Sequence, residues 1–207
     1  MVFGGDFMSL KHILDTASSQ LDNFSKVEAG RRMSSTARSV PEVVQWSKPC
    51  LRWIELNWDA TIDSGKQKMR IGIIARDHTG SILAAVCASR PHVTEPTTAE
   101  AIAVWKLVDV CLSLGYAKVV LEGNSLEVVK ALQTEGPCWS RFGLMIKDAK
   151  ILLNSLQEWR VSHVKQMRKK AAHILAKHGL TVDEDHLWSA DFPSFIHDIA
   201  LSDVASN

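Results

Sequence analysis

Trp53-Ile-Glu-Leu-Asn-Trp-Asp-Ala60 alternates apolar and polar side chains. One face carries Ile54, Leu56 and Trp58, and the other carries Glu55, Asn57 and Asp59. A period of two is what a half-buried β-strand needs. The run ends on an aspartate just before a turn-like segment, 61–65. We therefore expect Asp59 to face solvent at the end of a central strand, where a rigid scaffold would hold its carboxylate for metal chemistry.

Length and composition exclude several classes of protein. The 207 residues suit one domain plus an extension, and 46% hydrophobic with 23% charged residues is typical of a soluble globular chain. A net charge of +1 gives no overall basic character, so nucleic-acid binding would have to rest on local clusters. No apolar run reaches membrane-spanning length. Four scattered cysteines without a CxxC pair argue against a disulfide framework or a zinc ribbon. We expect a cytoplasmic or nuclear protein without a membrane partner.

The chain divides into three parts. Residues 9–25 have helical apolar spacing and are followed by a Ser-, Arg- and Pro-rich stretch, so 1–45 are expected to form an amphipathic helix and a flexible linker. That helix could dock on the domain, bind a protein partner, or do neither. Residues 46–180 are expected to form the folded domain. Residues 181–207 contain Trp188, Phe192, Phe195 and Ile196, whose apolar side chains could pack this tail onto it.

The order of elements predicts an α/β fold. Three strands in an antiparallel meander precede alternating strands and helices, which implies a mixed sheet with helices on both faces. After the opening strand, the patterns predict strands over 69–76, 81–89, 117–122 and 159–164, and helices over 97–114, 125–133, 144–156 and 168–178.

Five segments carry a resemblance to a known family. They are Trp53–Ala60 quoted above, Ile74-Ala-Arg-Asp-His-Thr-Gly80, Thr98-Ala-Glu-Ala-Ile-Ala103, Val119-Val-Leu-Glu-Gly-Asn-Ser125 and Ala172-His-Ile-Leu-Ala-Lys177. Their order and spacing resemble the ribonuclease H type 1 domain, most closely its plant reverse-transcriptase-like branch, which descends from retroelements. The resemblance implies a five-stranded mixed sheet, with three antiparallel and two parallel strands and helices on both faces.

The resemblance also implies a site. Enzymes of this family cut the RNA strand of an RNA–DNA hybrid with two Mg²⁺ or Mn²⁺ ions held by four carboxylates. The four positions fall on Asp59, Glu100, Asn124 and His173, of which only Asp59 and Glu100 could be charged metal ligands. Two divalent ions about 4 Å apart repel by roughly 17 kcal/mol at an effective dielectric near 20. Two carboxylates balance half of the +4 charge, so we expect one weak ion, or none, and impaired hydrolase activity.

Each position also has a structural interpretation. Glu100 could complete a Thr97-x-x-Glu capping box, and Asn124 could cap the next helix together with Glu127. His173 could be a packed or solvent-facing histidine. Asp59 has the weakest structural explanation, because strands disfavour aspartate.

A local cluster of cations is the second functional signal. Residues 160–178 contain six Lys or Arg and no acid. Lys165, Arg168, Lys169 and Lys170 lie at or near the start of the last helix, where the helix dipole disfavours cations. Phosphate groups of RNA or of an RNA–DNA hybrid would stabilise these positive charges. The alternative is a solvated cluster facing the acidic tail at 183–185.

Three functions follow. The first is a nucleic-acid-binding ribonuclease H-like domain, in effect a pseudoenzyme, with a degenerate two-metal site. The second is an active metal-dependent hybrid endoribonuclease that tolerates Asn124 and His173. The third is a protein-interaction module on the same scaffold, using the 9–25 helix or the tail.

Overall fold

In the computed structural model, residues 48–136, 138–165, 170–178 and 184–198 are described, and all of them belong to the compact unit Val44–Asn207. The predicted helix at 9–25 and its linker lie outside these residues, as do Arg168 and Lys169. None of the helices in the described ranges is long and apolar enough to cross a membrane.

Ten elements make up the described domain. The strands are β1 Ile54–Asp63, β2 Lys68–Arg76, β3 Ile82–Pro91, β4 Lys118–Gly123, β5 Glu158–His163 and β6 His186–Trp188. The helices are α1 Pro96–Ser113, α2 Leu126–Gln133, α3 Gly143–Leu153 and α4 Lys170–His178. The order of the first nine elements is the predicted one, with ends that shift by a few residues.

The sheet is mixed, with strand order β5-β4-β1-β2-β3-β6. β1, β2 and β3 form the expected antiparallel meander, while β1–β4 and β4–β5 are parallel. The predicted α/β class with helices on both faces is confirmed, but the count of five strands was one short. The sixth strand, β6, lies in the tail and pairs antiparallel with β3. Three residues are too few to show an alternating pattern, which is why the sequence did not reveal it.

The two faces of the sheet are covered differently. α1, α2 and α3 pack on one face around a large apolar core that includes Leu56 and Trp58. α4 and the tail segment that contains Ile196 cover the other face over a smaller apolar cluster. β1 is therefore buried on both faces, although its alternation predicted a half-buried strand.

Gly72 on β2 sets the distance between α4 and the sheet. A Cβ atom at this position would lie 2.0 Å from the carbonyl oxygen of Ala172 and 2.4 Å from the backbone nitrogen of Ala176. Contacts that short do not occur, so α4 can rest on β2 only where the strand has no side chain. Since Gly72 is the cross-strand partner of Asp59, this close approach also brings α4 over the predicted site.

Candidate functional site

Asp59 lies inside β1 rather than at its end. The strand continues to Asp63, and Asp59 is only 3% exposed, so the expectation of a solvent-facing carboxylate at a strand terminus was wrong. The reason is tertiary: the turn-like segment after Ala60 still pairs with β2, and α4 covers this face. The parallel pairing of β1 with β4 ends at Asn57 and Glu122. Asp59 therefore lies just past the carboxyl end of β4.

His173 forms a hydrogen bond with Asp59. Its Nδ1 atom is 2.7 Å from Oδ2 of Asp59, and the two side chains are 26% and 5% exposed. An ionised carboxylate only accepts hydrogen bonds, so Nδ1 carries the proton when Asp59 is charged. The backbone contact of Ala172 with Gly72 places the next residue, His173, beside the cross-strand partner of that glycine. The structure thus joins two predicted site residues that are far apart in sequence.

Asn124 follows β4 directly. The parallel register of β1 and β4 pairs Asn57 with Glu122. Two residues further along each strand direction, Asn124 is therefore level with Asp59. The predicted cap was wrong by one residue, because the N-cap of α2 is Ser125. The backbone carbonyl oxygen of Asn124 lies 3.1 Å from Nε2 of His163, at the end of β5.

Glu100 is a buried carboxylate in the first half of α1. It does not form the predicted capping box, since the N-cap is Glu95, which accepts bonds from the backbone nitrogens of Thr97 at 2.8 Å and Thr98 at 2.5 Å. Hydrogen bonds from Thr98 and Thr97 lower the pKa of the Glu95 carboxyl. Glu100, 9% exposed, is left without a capping role on a helix that packs against β1.

A chain of buried polar side chains lies next to Asp59 and was missed from the sequence. Asn57 donates from Nδ2 to Oε2 of Glu122 at 3.1 Å and accepts from Nη1 of Arg76 at 3.3 Å. The three are 1%, 8% and 1% exposed, and Glu55 beside them is 3% exposed. Polar side chains on a central strand between two apolar neighbours were the available signal. Their alternation predicts a half-buried strand, and the burial of the polar face depends on α4, which is distant in sequence.

The donor set can be compared with the needs of a metal pair. The described residues contain no group of three or more His, Cys, Asp and Glu side chains arranged to hold a metal ion. The four predicted positions offer two carboxylates, one amide and one imidazole. Mg²⁺ prefers oxygen ligands and binds imidazole poorly. One oxygen of Asp59 is already bonded to His173.

The basic cluster is only partly described. Lys165 and Lys170 are exposed, while Arg168 and Lys169 lie outside the described residues. Within the described ranges, Asp185 of the tail pairs with Arg90 at 2.8 Å and lies 3.7 Å from Lys106, two cations outside the cluster. The alternative of a cluster facing the acidic tail stays a prediction, because Arg168, Lys169 and Asp183 lie outside the described residues.

Fold and residues together define a ribonuclease H-like domain. The family model described as reverse transcriptase-like matches residues 57–179, more than half of the chain, and the chain belongs to that family. No curated protein sequence matches this chain.

Solved structures show the same fold. RNase H1 from Halobacterium salinarum NRC-1 is 20% identical with a TM-score of 0.58, covering 62% of this chain and 98% of its own. The N-terminal RNase H domain of a Mycobacterium tuberculosis protein is 16% identical with a TM-score of 0.56, covering 62% and 94%. LC11-RNase H1 in complex with an RNA/DNA hybrid is 16% identical with a TM-score of 0.54, covering 60% and 94%. LC11 was isolated from compost by a metagenomic approach.

Proposed function

We propose that this domain binds RNA–DNA hybrid or RNA, and that its two-metal site is degenerate, with weak or no nuclease activity. One observation carries the proposal: Asp59 and His173 are joined by a hydrogen bond of 2.7 Å. This bond holds α4 to β1 and uses a carboxylate oxygen that a metal ion would need. The fold shared with LC11-RNase H1, solved with an RNA/DNA hybrid, supports the choice of ligand.

The residues do not fit a pair of divalent ions. Asp59 and Glu100 supply two negative charges against +4, and the hydrogen bond from His173 competes for one of the Asp59 oxygens. Asn124 adds a carbonyl oxygen without charge. The two carboxylates therefore balance only half of the charge of two ions, which repel each other by roughly 17 kcal/mol when they are about 4 Å apart. A single weakly held Mg²⁺ or Mn²⁺ is the most that this donor set supports.

Recognition would rest on the nucleic-acid backbone. Lys165 and Lys170 are exposed at the two borders of 166–169, so these two cations are available to phosphates. An A-form duplex is recognised through its shape, its phosphates and its 2′-hydroxyls. We therefore expect binding that depends strongly on salt and weakly on base sequence.

A cleavage assay separates binding from catalysis. Labelled RNA–DNA hybrid is incubated with the protein in Mg²⁺ and then in Mn²⁺, with binding measured on the same samples. We expect a retained complex and no cleavage above the protein-free background. Cleavage that disappears in Asp59→Asn would instead establish the active hybrid endoribonuclease.

Binding at two salt concentrations tests the basic cluster. The double variant Lys169→Ala with Lys170→Ala should lower the affinity for the hybrid and reduce the salt slope by about two. The matched control is Lys66→Ala with Lys130→Ala, two exposed lysines outside the cluster. Unchanged affinity and slope in the first variant would show that the cluster is not a phosphate site.

Restoring a carboxylate tests the placement of the site. Asn124→Asp should raise the affinity for Mn²⁺, because it adds a negative charge level with Asp59. Calorimetric titration of both proteins with Mn²⁺ measures the difference. No gain in affinity would mean that Asn124 does not face the same space as Asp59.

A further inference from the structure

A groove of about 550 Å³ lies between α3 and the loop that precedes it. We call it the α3 groove. The side chains that matter for its chemistry are Trp139, Leu144, Ile146, Lys147, Lys150 and Ile151. α3 belongs to the helix layer on the face of the sheet opposite α4, so the groove is separate from the Asp59–His173 site.

Large apolar side chains are unusually exposed there. Trp139 is 92% exposed, Leu144 is 76% exposed and Ile151 is 60% exposed. Leu144 and Ile151 are seven residues apart on α3, so they lie on the same side of the helix. Single exposed apolar residues need no explanation, but three of them lining one concave surface mark a binding site.

The loop is seated tightly against the start of α3. A Cβ atom at Gly143 would lie 1.9 Å from the carbonyl oxygen of Cys138, and the Gly143 amide donates to the carbonyl of Ser140 at 2.9 Å. Lys150 on the next turns of α3 donates to the carbonyl oxygen of Thr134. These contacts shape the groove before any partner arrives, which lowers the cost of binding.

The charge at the groove has one sign. Among the described lining residues, the charged ones are Lys147 and Lys150, both cations on α3. Neither takes part in an ion pair within the described ranges, so their positive charge is not neutralised by this part of the chain. A ligand with carboxylates beside large apolar groups would complement both features.

We propose that the α3 groove binds an acidic amphipathic helix from a partner protein. Apolar side chains at i, i+3 or i+4, and i+7 of that helix would contact Trp139, Leu144 and Ile151, as helices do in apolar grooves. Asp or Glu on its flanks would face Lys147 and Lys150. In the described part of the chain, the lining has one aromatic side chain, Trp139, beside the aliphatic Leu144, Ile146 and Ile151. This favours a polypeptide over a nucleic acid, whose successive bases stack on several aromatic side chains. This interaction goes beyond the proposed nucleic-acid binding and does not depend on it.

The test uses a labelled synthetic helix of about 16 residues, roughly 24 Å long, with leucines along one face and glutamates elsewhere. A peptide of the same composition with the leucines spread around the helix is the first control, and a version with lysines in place of glutamates is the second. Fluorescence anisotropy with the full chain measures affinity. We expect the first peptide to bind at least about tenfold more tightly than either control.

Surface variants locate the binding. Leu144→Asp and Trp139→Ala should each weaken binding by roughly tenfold or more, because they remove exposed contacts without touching the core. Leu51→Asp is the matched control, since Leu51 is 68% exposed and does not line the groove. It should leave the affinity unchanged.

Three results would overturn the proposal. One is equal binding of the patterned and redistributed peptides. Another is oligothymidylate bound through the same residues, which would make the groove a nucleic-acid surface. The last is self-association in sedimentation that Leu144→Asp abolishes, which would make the occupant a second copy of this chain. Circular dichroism of each variant distinguishes loss of the contact from loss of the fold.

Discussion

β1 has two buried faces with different chemistry. Leu56 and Trp58 enter an apolar core beneath α1, α2 and α3. The side chains of Asn57 and Asp59 lie on the opposite face, beneath α4. There Asn57 forms hydrogen bonds with Arg76 and Glu122, and Asp59 forms one with His173. The first face derives its stability from area removed from water. The second is stable only while every polar group has a partner, so it ties the position of α4 to particular side chains.

Adding a side chain at Gly72 should have the largest effect on the face of β1 that α4 covers. Gly72→Val should reduce the free energy of unfolding by roughly 3 kcal/mol or more, because its side chain would overlap the backbone of α4. It should also separate His173 from Asp59. Urea denaturation measures the first effect, and the imidazole nitrogen signals of His173 in an NMR spectrum measure the second.

Gly65→Val is the matched control, since a Cβ atom there meets only ordinary contact, 3.4 Å from Oδ1 of Asp63. Equal losses in the two variants would mean that the close approach of α4 to β2 is not needed.

Neighbouring substitutions on β1 compare the two faces directly. Leu56→Ala should cost about 3 kcal/mol through lost burial and a cavity. Asn57→Ala should cost about 2 kcal/mol, because it removes the two buried hydrogen bonds that Asn57 makes with Glu122 and Arg76. Denaturant midpoints with unchanged slopes would report both losses. A negligible effect of Asn57→Ala would contradict the view that polar bonds hold the α4 face.

The bond between α4 and β1 can be measured by a double-mutant cycle. His173→Ala and Asp59→Asn, singly and together, should give a coupling energy of roughly 1 kcal/mol, typical of a charge-assisted bond between partly buried groups. His78→Ala, at an exposed turn residue, should show no coupling with Asp59→Asn. A zero coupling for His173 would remove the proposed structural role of the pair.

The tail gives the smallest expected effect and depends on pH. The hydrogen bond from Arg90 lowers the pKa of Asp185 below its ordinary value of 3.8. This stabilisation is complete above that value and disappears as the pH falls through the lower pKa of the folded state. Asp185→Asn should therefore cost less than about 1 kcal/mol at pH 7, a value reduced by solvent exposure, and nothing under strongly acidic conditions.

Thermal unfolding of Asp185→Asn and the parent chain across this pH range checks the prediction. A difference that stays constant down to acidic pH would mean that the ion pair does not link the tail to the domain.

Local patterns predicted most of this fold, and tertiary contacts explain the exceptions. Period-two and helical spacing located nine elements in order, because their apolar residues recur at the spacing of a strand or of a helix. The cap of α1 was missed because Glu95 is an uncommon N-cap, although Pro96 at the first helical position was a usable signal. The depth of Asp59 could not be predicted, since it depends on a helix more than a hundred residues away lying against Gly72.

β6 has a consequence for solubility. Its three residues pair with Ala85, Val86 and Cys87 and so occupy hydrogen-bonding groups along the outer side of β3. A chain shortened before His186 would present that apolar margin unpaired, and unpaired strand margins recruit other chains. At the opposite margin, β5 carries exposed Glu158 and Arg160, charges that discourage such stacking. The short tail strand thus protects residues 85–87 of β3, which carry no charged side chain, from pairing with another chain.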